Sequence, residues 1–194
     1  MPLAAVAPNT ISFSAVISAC EKRHEWEMGI QLLSDMSFAK ALPNTISFNA
    51  AISACLESGE WQMALALLSD MADARVTLDT ISFSASISVC EQAGVWQMVV
   101  QLLSDMTVAR VAPDTISFNA GIRACEKGGE WQLALLLLLD MPLEGVPLDA
   151  NSLSSGISAC ERGTESQMGI QLLSDMQSEG WRVCALEHSA KCSR

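Results

Sequence analysis

The chain has 194 residues, a formal net charge of −11 at pH 7, and 50% hydrophobic but only 17% charged residues. This length allows one compact domain or a short repeat array with a real core, and the apolar content excludes an intrinsically disordered chain. The longest apolar run, residues 133–139, is far shorter than the roughly 20 residues of a membrane-spanning helix, so no membrane partner is expected. The acidic charge argues against a strongly basic nucleic-acid binder.

A strict period of 35 residues organises the sequence. Cysteine recurs at this spacing from Cys20 to Cys160, and an Asp-Met pair recurs from Met36 to Met176. Such a period is typical of repeat architectures. The five repeats are residues 10–44, 45–79, 80–114, 115–149 and 150–184. Residues 1–9 match the end of a repeat and are interpreted as the remnant of a preceding one, and residues 185–194 form a C-terminal tail. We therefore expect a fragment of a longer array; the alternative is an array without end caps.

Each repeat predicts two helices, which Gly59 separates in the second repeat. In the second repeat the first apolar stripe consists of Phe48, Ala51, Ile52 and Cys55, and the second of Trp61, Ala64, Leu65, Leu68 and Met71. Both stripes follow the spacing of one helix face. The asparagine or aspartate that ends most repeats stands where a helix N-cap is expected. One hairpin cannot bury both stripes, so the sequence predicts an all-α fold, a right-handed α-solenoid of five stacked helical hairpins.

The fourth repeat carries the residues of a known family most completely. They are Thr115-Ile116-Ser117-Phe118-Asn119, Cys125, Gly129, Ala134, Met141, Gly145 and Asp149. With the 35-residue period, they resemble the pentatricopeptide repeat family over residues 10–184. The sequence departs from the family at Lys40, Arg75 and Arg110, where glycine is usual, and the fifth repeat lacks its tryptophan, proline and closing aspartate.

The resemblance implies single-stranded RNA as the partner, bound at one base per repeat. In the family, the fifth and last residues of a repeat together select the base. Here these pairs are Ser14 with Asn44, Asn49 with Asp79, Ser84 with Asp114, and Asn119 with Asp149. They imply A, U, G and U, read 5′ to 3′, whereas Ser154 with Cys184 makes no recognised pair. Aspartate and asparagine at the last position also suit a helix N-cap, so this position discriminates weakly between the two roles.

A second row of residues lies on the same face of the first helices. These are the isoleucines Ile11, Ile46, Ile81 and Ile116, whose side chains could wedge between bases. Basic residues end three of the first helices, where the family often contacts phosphate: Lys22, Lys127 and Arg162. The same cations also complement a helix C-terminus, an equally good explanation. With so few cations, binding is expected to be weak and sensitive to salt.

No catalytic motif, cofactor site or metal site is visible, so we expect neither an enzyme nor a small-molecule substrate. The five periodic cysteines are predicted to be core residues of a protein in a reducing compartment, and Cys184, Cys192 and His188 form only an incidental cluster. By family resemblance the protein acts in a chloroplast or mitochondrion, in RNA processing, stability or translation, although no transit peptide is visible in this chain. The alternatives are a solenoid that binds a protein partner without any RNA role, and a partial array.

Overall fold

In the computed structural model, the structure describes residues 9–23 and 25–163, and these form nine α-helices without a strand. The helices are α1 (Thr10–Arg23), α2 (Trp26–Phe38), α3 (Thr45–Ala54), α4 (Trp61–Asp73), α5 (Thr80–Gln92), α6 (Trp96–Val108), α7 (Thr115–Gly128), α8 (Trp131–Leu143) and α9 (Ala150–Arg162). They make four helical hairpins and the first helix of a fifth. The predicted all-α solenoid of stacked hairpins is confirmed.

The first helices of neighbouring repeats pack directly against each other. Thus α1 contacts α3, α3 contacts α5, α5 contacts α7 and α7 contacts α9. Each second helix packs between its own first helix and that of the next repeat, and among the described helices no two second helices share a comparable contact. Since a curved array brings its elements closest together on the inner side, the first helices line the concave face.

Both predicted stripes form the core. The methionines Met36, Met71, Met106 and Met141 are fully buried, as are Ala51, Ile52 and Cys55 of the first stripe in the second repeat. Burial of a side chain of this size contributes about 1.5–3 kcal/mol, which explains why the array keeps the same core residues in each copy. The tryptophans that open the second helices are half-buried and pack against this core.

The predicted N-caps are also confirmed. Asn44, Asp79, Asp114 and Asp149 precede the first helices in extended backbone conformation, and a side-chain oxygen of each accepts a hydrogen bond from the backbone N–H three residues later, at 2.9, 2.9, 2.8 and 2.7 Å. A cap of this kind contributes about 1 kcal/mol. The caps fix where each first helix begins and therefore where its fifth residue points.

The three cations that replace the family's usual glycine adopt the left-handed conformation that glycine favours. Lys40, Arg75 and Arg110 have φ of 56°, 56° and 57°, and Gly145 has 78° at the same place in the fourth repeat. A side chain in this conformation costs roughly 1–2 kcal/mol. These positions lie in the loop that follows the second helix, which we call the closing loop. All four described repeats therefore have the same left-handed backbone conformation at this place in the loop, whichever residue occupies it.

Several predicted features lie outside the described residues. They are residues 1–8 of the preceding-repeat remnant, the second helix expected within residues 164–184, the tail 185–194, and Cys184, Cys192 and His188. Within the described part of the chain, no helix is long and apolar enough to cross a membrane, and no cluster of potential metal ligands occurs.

Candidate nucleic-acid interface

The predicted wedge residues form an exposed apolar row along the first helices. Ile11, Ile46, Ile81 and Ile116 lie in the first turn of α1, α3, α5 and α7 and are 78, 63, 62 and 60% exposed. A large aliphatic side chain gains nothing from facing water, so four of them at the same place in each repeat form a surface suited to contact another apolar group. We call the exposed side of the first helices that carries this row the groove face.

The predicted base-reading pairs come together where one repeat ends and the first helix of the next repeat begins. Asn49 Nδ2 donates a hydrogen bond to Asp79 Oδ1 at 3.3 Å, and Asn119 Nδ2 donates to Asp149 Oδ1 and Oδ2 at 3.3 and 3.1 Å. In the first repeat, Ser14 Oγ donates to Asn44 Oδ1 at 3.5 Å. Three of the four pairs therefore join the fifth residue of one repeat to the cap of the next first helix.

The third pair, Ser84 with Asp114, is not joined. Ser84 Oγ donates instead to the backbone oxygen of Ile81 at 3.3 Å, and Asp114 Oδ1 accepts from both the backbone N–H and the hydroxyl of Ser117. The serine side chain is shorter than asparagine and leaves a hollow of about 200 Å³ beside it. The hollow is lined by Ser53, Leu56, Ile81, Ser84, Ala85, Ser88 and Ile116, so two consecutive wedge isoleucines flank it.

The groove face is narrower than the sequence predicts. The helical spacing of Ile46, Asn49, Ala50 and Ser53 predicts one continuous surface. In the structure Ile46 is exposed and Ser53 is half-buried, whereas Asn49 and Ala50 are buried. The predicted continuous surface is therefore wrong at both Asn49 and Ala50, because neighbouring first helices pack directly against each other and cover these side chains.

A serine that the sequence reading missed completes the second pair. Ser82 Oγ lies 2.7 Å from Asn49 Oδ1 and 2.8 Å from Asp79 Oδ1. At the fourth pair the corresponding hydroxyl, Ser152 Oγ of the fifth repeat, donates to the backbone oxygen of Asp149, and Asn119 Oδ1 is buried without a partner among the described residues. The recurrence of serine three residues after each cap was the available signal.

The caps of the second and fourth pairs are held as carboxylates. Burial raises the pKa of Asp79, but hydrogen bonds from Ser82 and Asn49 lower this pKa by more than burial raises it, so the net shift is downward. Hydrogen bonds from the backbone N–H of Ser152 and from Asn119 likewise lower the pKa of Asp149. At neutral pH both side chains accept hydrogen bonds and cannot donate them.

Two of the three predicted phosphate contacts are occupied by acids of the preceding repeat. Lys127 Nζ lies 2.6 Å from Glu91 Oε1, and an Arg162 guanidinium nitrogen lies 3.4 Å from Glu126 Oε1. Lys22 is exposed and makes no ion pair with a described residue. Sequence reading missed the role of Glu91, although the helical phase of the repeats brings its position beside that of Lys127.

Models of two related repeat families match the chain. The PPR repeat family matches residues 43–92, and the PPR repeat matches residues 11–38 and 116–146, so that the matched segments together span more than half of the chain. Comparison with curated protein sequences gives no match.

Solved structures show the same fold. The PPR domain of Arabidopsis thaliana protein-only RNase P 1, in complex with tRNA, superimposes with a TM-score of 0.72 at 12% identity, over 92% of this chain and 97% of that one. The pentatricopeptide repeat protein PPR10, in complex with an 18-nt psaJ RNA element, gives a TM-score of 0.75 at 19% identity, over 89% of this chain but only 25% of that one. Nuclear proteinaceous RNase P 2 from A. thaliana gives 0.74 at 10% identity, over 93% and 42%. Together with the period, the caps and the stacked hairpins, these matches show that the chain belongs to the pentatricopeptide repeat family.

Proposed function

We propose that this array binds single-stranded RNA at one base per repeat. The pairs of the first four repeats would read A, U, G and U, from 5′ to 3′. The observation that carries the proposal is the hydrogen bonding of the fifth residue to the next cap in three pairs, beside an exposed row of isoleucines. A base placed between two isoleucines would meet both polar side chains of a pair with its edge.

The protonation of the caps gives a physical reason for different bases. Asp79 and Asp149 are ionised and accept hydrogen bonds, which suits bases that present a ring N–H, such as uracil and guanine. Asn44 keeps an amide N–H₂ and can donate to the unprotonated ring nitrogen of adenine.

The third repeat has space for a base beside its pair. Its hollow of about 200 Å³ lies between Ile81 and Ile116, with Ser84 in its wall. This space favours the larger guanine ring at that place over a pyrimidine. Stacking of a base against side chains contributes about 1–3 kcal/mol where the side chain is aromatic, and we expect less from isoleucine.

The biological role follows from occupancy. A solenoid that binds single-stranded RNA would act on a transcript by covering it, and so affect its processing, stability or translation. Membership of the family supports an organellar site of action, in a chloroplast or mitochondrion, and imaging of the tagged protein tests this location.

Fluorescence anisotropy with labelled RNA containing AUGU, against a scrambled RNA of the same composition, tests the proposal. We expect a preference for AUGU. The double variant Asn49→Ser and Asn119→Ser creates two further pairs of the Ser84 type, so its preference should move to AGGG. Equal binding of all RNAs, lost at higher salt, would contradict base reading. No binding by folded, helical protein at low salt would contradict RNA binding and favour the protein-scaffold alternative, with which the net charge of −11 agrees.

A further inference from the structure

A buried acid holds two cations at the junction of the third and fourth repeats. Glu91, at the end of α5, has a side chain that is only 8% exposed. Its Oε2 lies 3.3 Å from a terminal guanidinium nitrogen of Arg123, and its Oε1 lies 2.6 Å from Lys127 Nζ, both on α7. We call these three residues the junction triad. Each carboxylate oxygen of Glu91 thus has a cationic partner.

The junction triad lies along the groove face. Ile116, Asn119, Arg123 and Lys127 follow each other at i, i+3, i+7 and i+11, which keeps them on one side of α7. In the preceding junction, Leu56 and Ser88 stand at the positions of Glu91 and Arg123, and both line the hollow beside Ser84. A backbone that passes the base-reading pairs would therefore pass the two cations.

Both cations remain accessible from this side. The side chains of Arg123 and Lys127 are 40% and 49% exposed, in contrast to the acid beneath them. Arginine and lysine bind carboxylate and phosphate oxygens through the same charged N–H groups, with arginine forming the more directional contact. The carboxylate of Glu91 consequently occupies donors that a phosphate would use, and it reduces the local charge from +2 to +1.

We propose that Glu91 is an internal competitor for the RNA backbone, which limits phosphate binding by Arg123 and Lys127. The inference rests on the proposed RNA-binding function and identifies Glu91 as a residue that weakens RNA binding. A phosphate that reaches this junction must share or displace the carboxylate. The pair of Glu126 with Arg162 repeats the arrangement more openly, with a longer distance of 3.4 Å and a single cation.

RNA binding by Glu91→Gln tests the proposal. The amide keeps the size of the side chain and removes its charge, so one more phosphate can be neutralised. For a single strand, one additional neutralised phosphate steepens the slope of log K against log salt by about 0.7. The ratio of the variant's affinity to that of wild type should therefore be roughly fivefold larger at 20 mM than at 200 mM salt. Asp70→Asn is the matched control, because it makes the same charge change on the exposed side of α4, away from the groove face. Circular dichroism and thermal melting confirm that each variant is folded.

A second variant covers the case in which Glu91→Gln does not fold. Glu91→Leu introduces the residue that the array already has in the preceding repeat, Leu56, and it should show the same gain in slope. The proposal is overturned if the folded Glu91 variants bind RNA only as tightly as Asp70→Asn, or more weakly than wild type. If wild type binds AUGU and the Glu91 variants gain nothing, the inference alone fails. If only the Glu91 variants bind, the inference holds and the native chain lacks the proposed function. If no protein binds at 20 mM salt, both fail.

Discussion

Replacement of Asn119 by aspartate tests the hydrogen-bonded pair that joins α7 to the cap of α9. The variant removes the two bonds from Nδ2 to Asp149, at 3.3 and 3.1 Å, and places a second carboxylate within about the same distance. A hydrogen bond to a charged group contributes about 1.5–3 kcal/mol. Protonation of one carboxyl group would remove the repulsion between the two. This protonation costs about 4 kcal/mol at pH 7, since each pH unit above an ordinary pKa near 3.9 costs about 1.4 kcal/mol, and the loss of stability from repulsion cannot exceed that cost.

We expect a loss of about 2 kcal/mol at pH 7, below that ceiling, because Asp149 is half-exposed and solvent screens the repulsion. The loss should be local, since α9 depends on its contacts with α7 and α8. Amide hydrogen exchange in α9 measures it, together with urea unfolding. The control is Asn119→Ser, which introduces the residue found in the same position at Ser14 and Ser84 and should cost less than about 1 kcal/mol.

The pH dependence distinguishes this variant from wild type. In wild type the pKa of Asp149 is lowered, so its contribution to stability is present above the unfolded pKa and is lost as pH falls. In Asn119→Asp the mutual repulsion raises one carboxyl pKa in the folded state, so stability increases as pH falls from 7 towards 4.5. Equal stability of the aspartate and serine variants at pH 7, or parallel pH profiles for wild type and Asn119→Asp, would refute the direct contact.

Two further predictions concern the core and the closing loop. Burial raises the pKa of the Cys55, Cys90 and Cys125 thiols to about 11, so a thiol reagent at pH 8 should modify these residues only after unfolding, as followed by mass spectrometry; rapid labelling of folded protein would contradict their burial. Gly145→Ala should lower the free energy of urea unfolding by about 1 kcal/mol, because φ of 78° disfavours a side chain although nothing lies within 4 Å of the added carbon. The control Gly29→Ala, inside α2 and 4.0 Å from its nearest contact, should instead raise that free energy by up to about 1 kcal/mol. A change of the same sign in both variants would exclude backbone strain as the cause.

The fold was predictable because the period repeats every local signal. The apolar spacing from Phe48 to Cys55, the cap at Asn44 and the glycine turn at Gly59 each predict a helix start, face or end, and their repetition leaves one way to bury both stripes. The pairs of a fifth residue with the following cap came from the resemblance; three of the four are joined by hydrogen bonds, and their role in reading bases stays a prediction. The bonds between them depend on how closely successive first helices pack, which the spacing within one repeat does not contain.

The charges were less predictable for the same reason. Lys127 was interpreted as a phosphate contact from its place at the end of a first helix, but its partner Glu91 belongs to the previous repeat. Whether a cation faces solvent or an acid depends on the register between repeats, and the register places position twelve of one repeat beside positions nine and thirteen of the next. Arg123 interrupts a row that is otherwise Ser18, Ser53, Ser88 and Ser158, and this single departure was the visible sign of the junction triad.

The direct packing of the first helices has a mechanical consequence. The layer of a bent beam that keeps its length is called the neutral axis. In this array the continuous column of first helices, α1, α3, α5, α7 and α9, corresponds to that layer. Bending or twisting of the array therefore widens or narrows the gaps between second helices on the outer side, while the distance from one cap to the next changes little. The spacing between consecutive paired side chains is consequently set by the direct packing of the first helices, and a flexible strand that binds along them must adapt its own rise to this spacing.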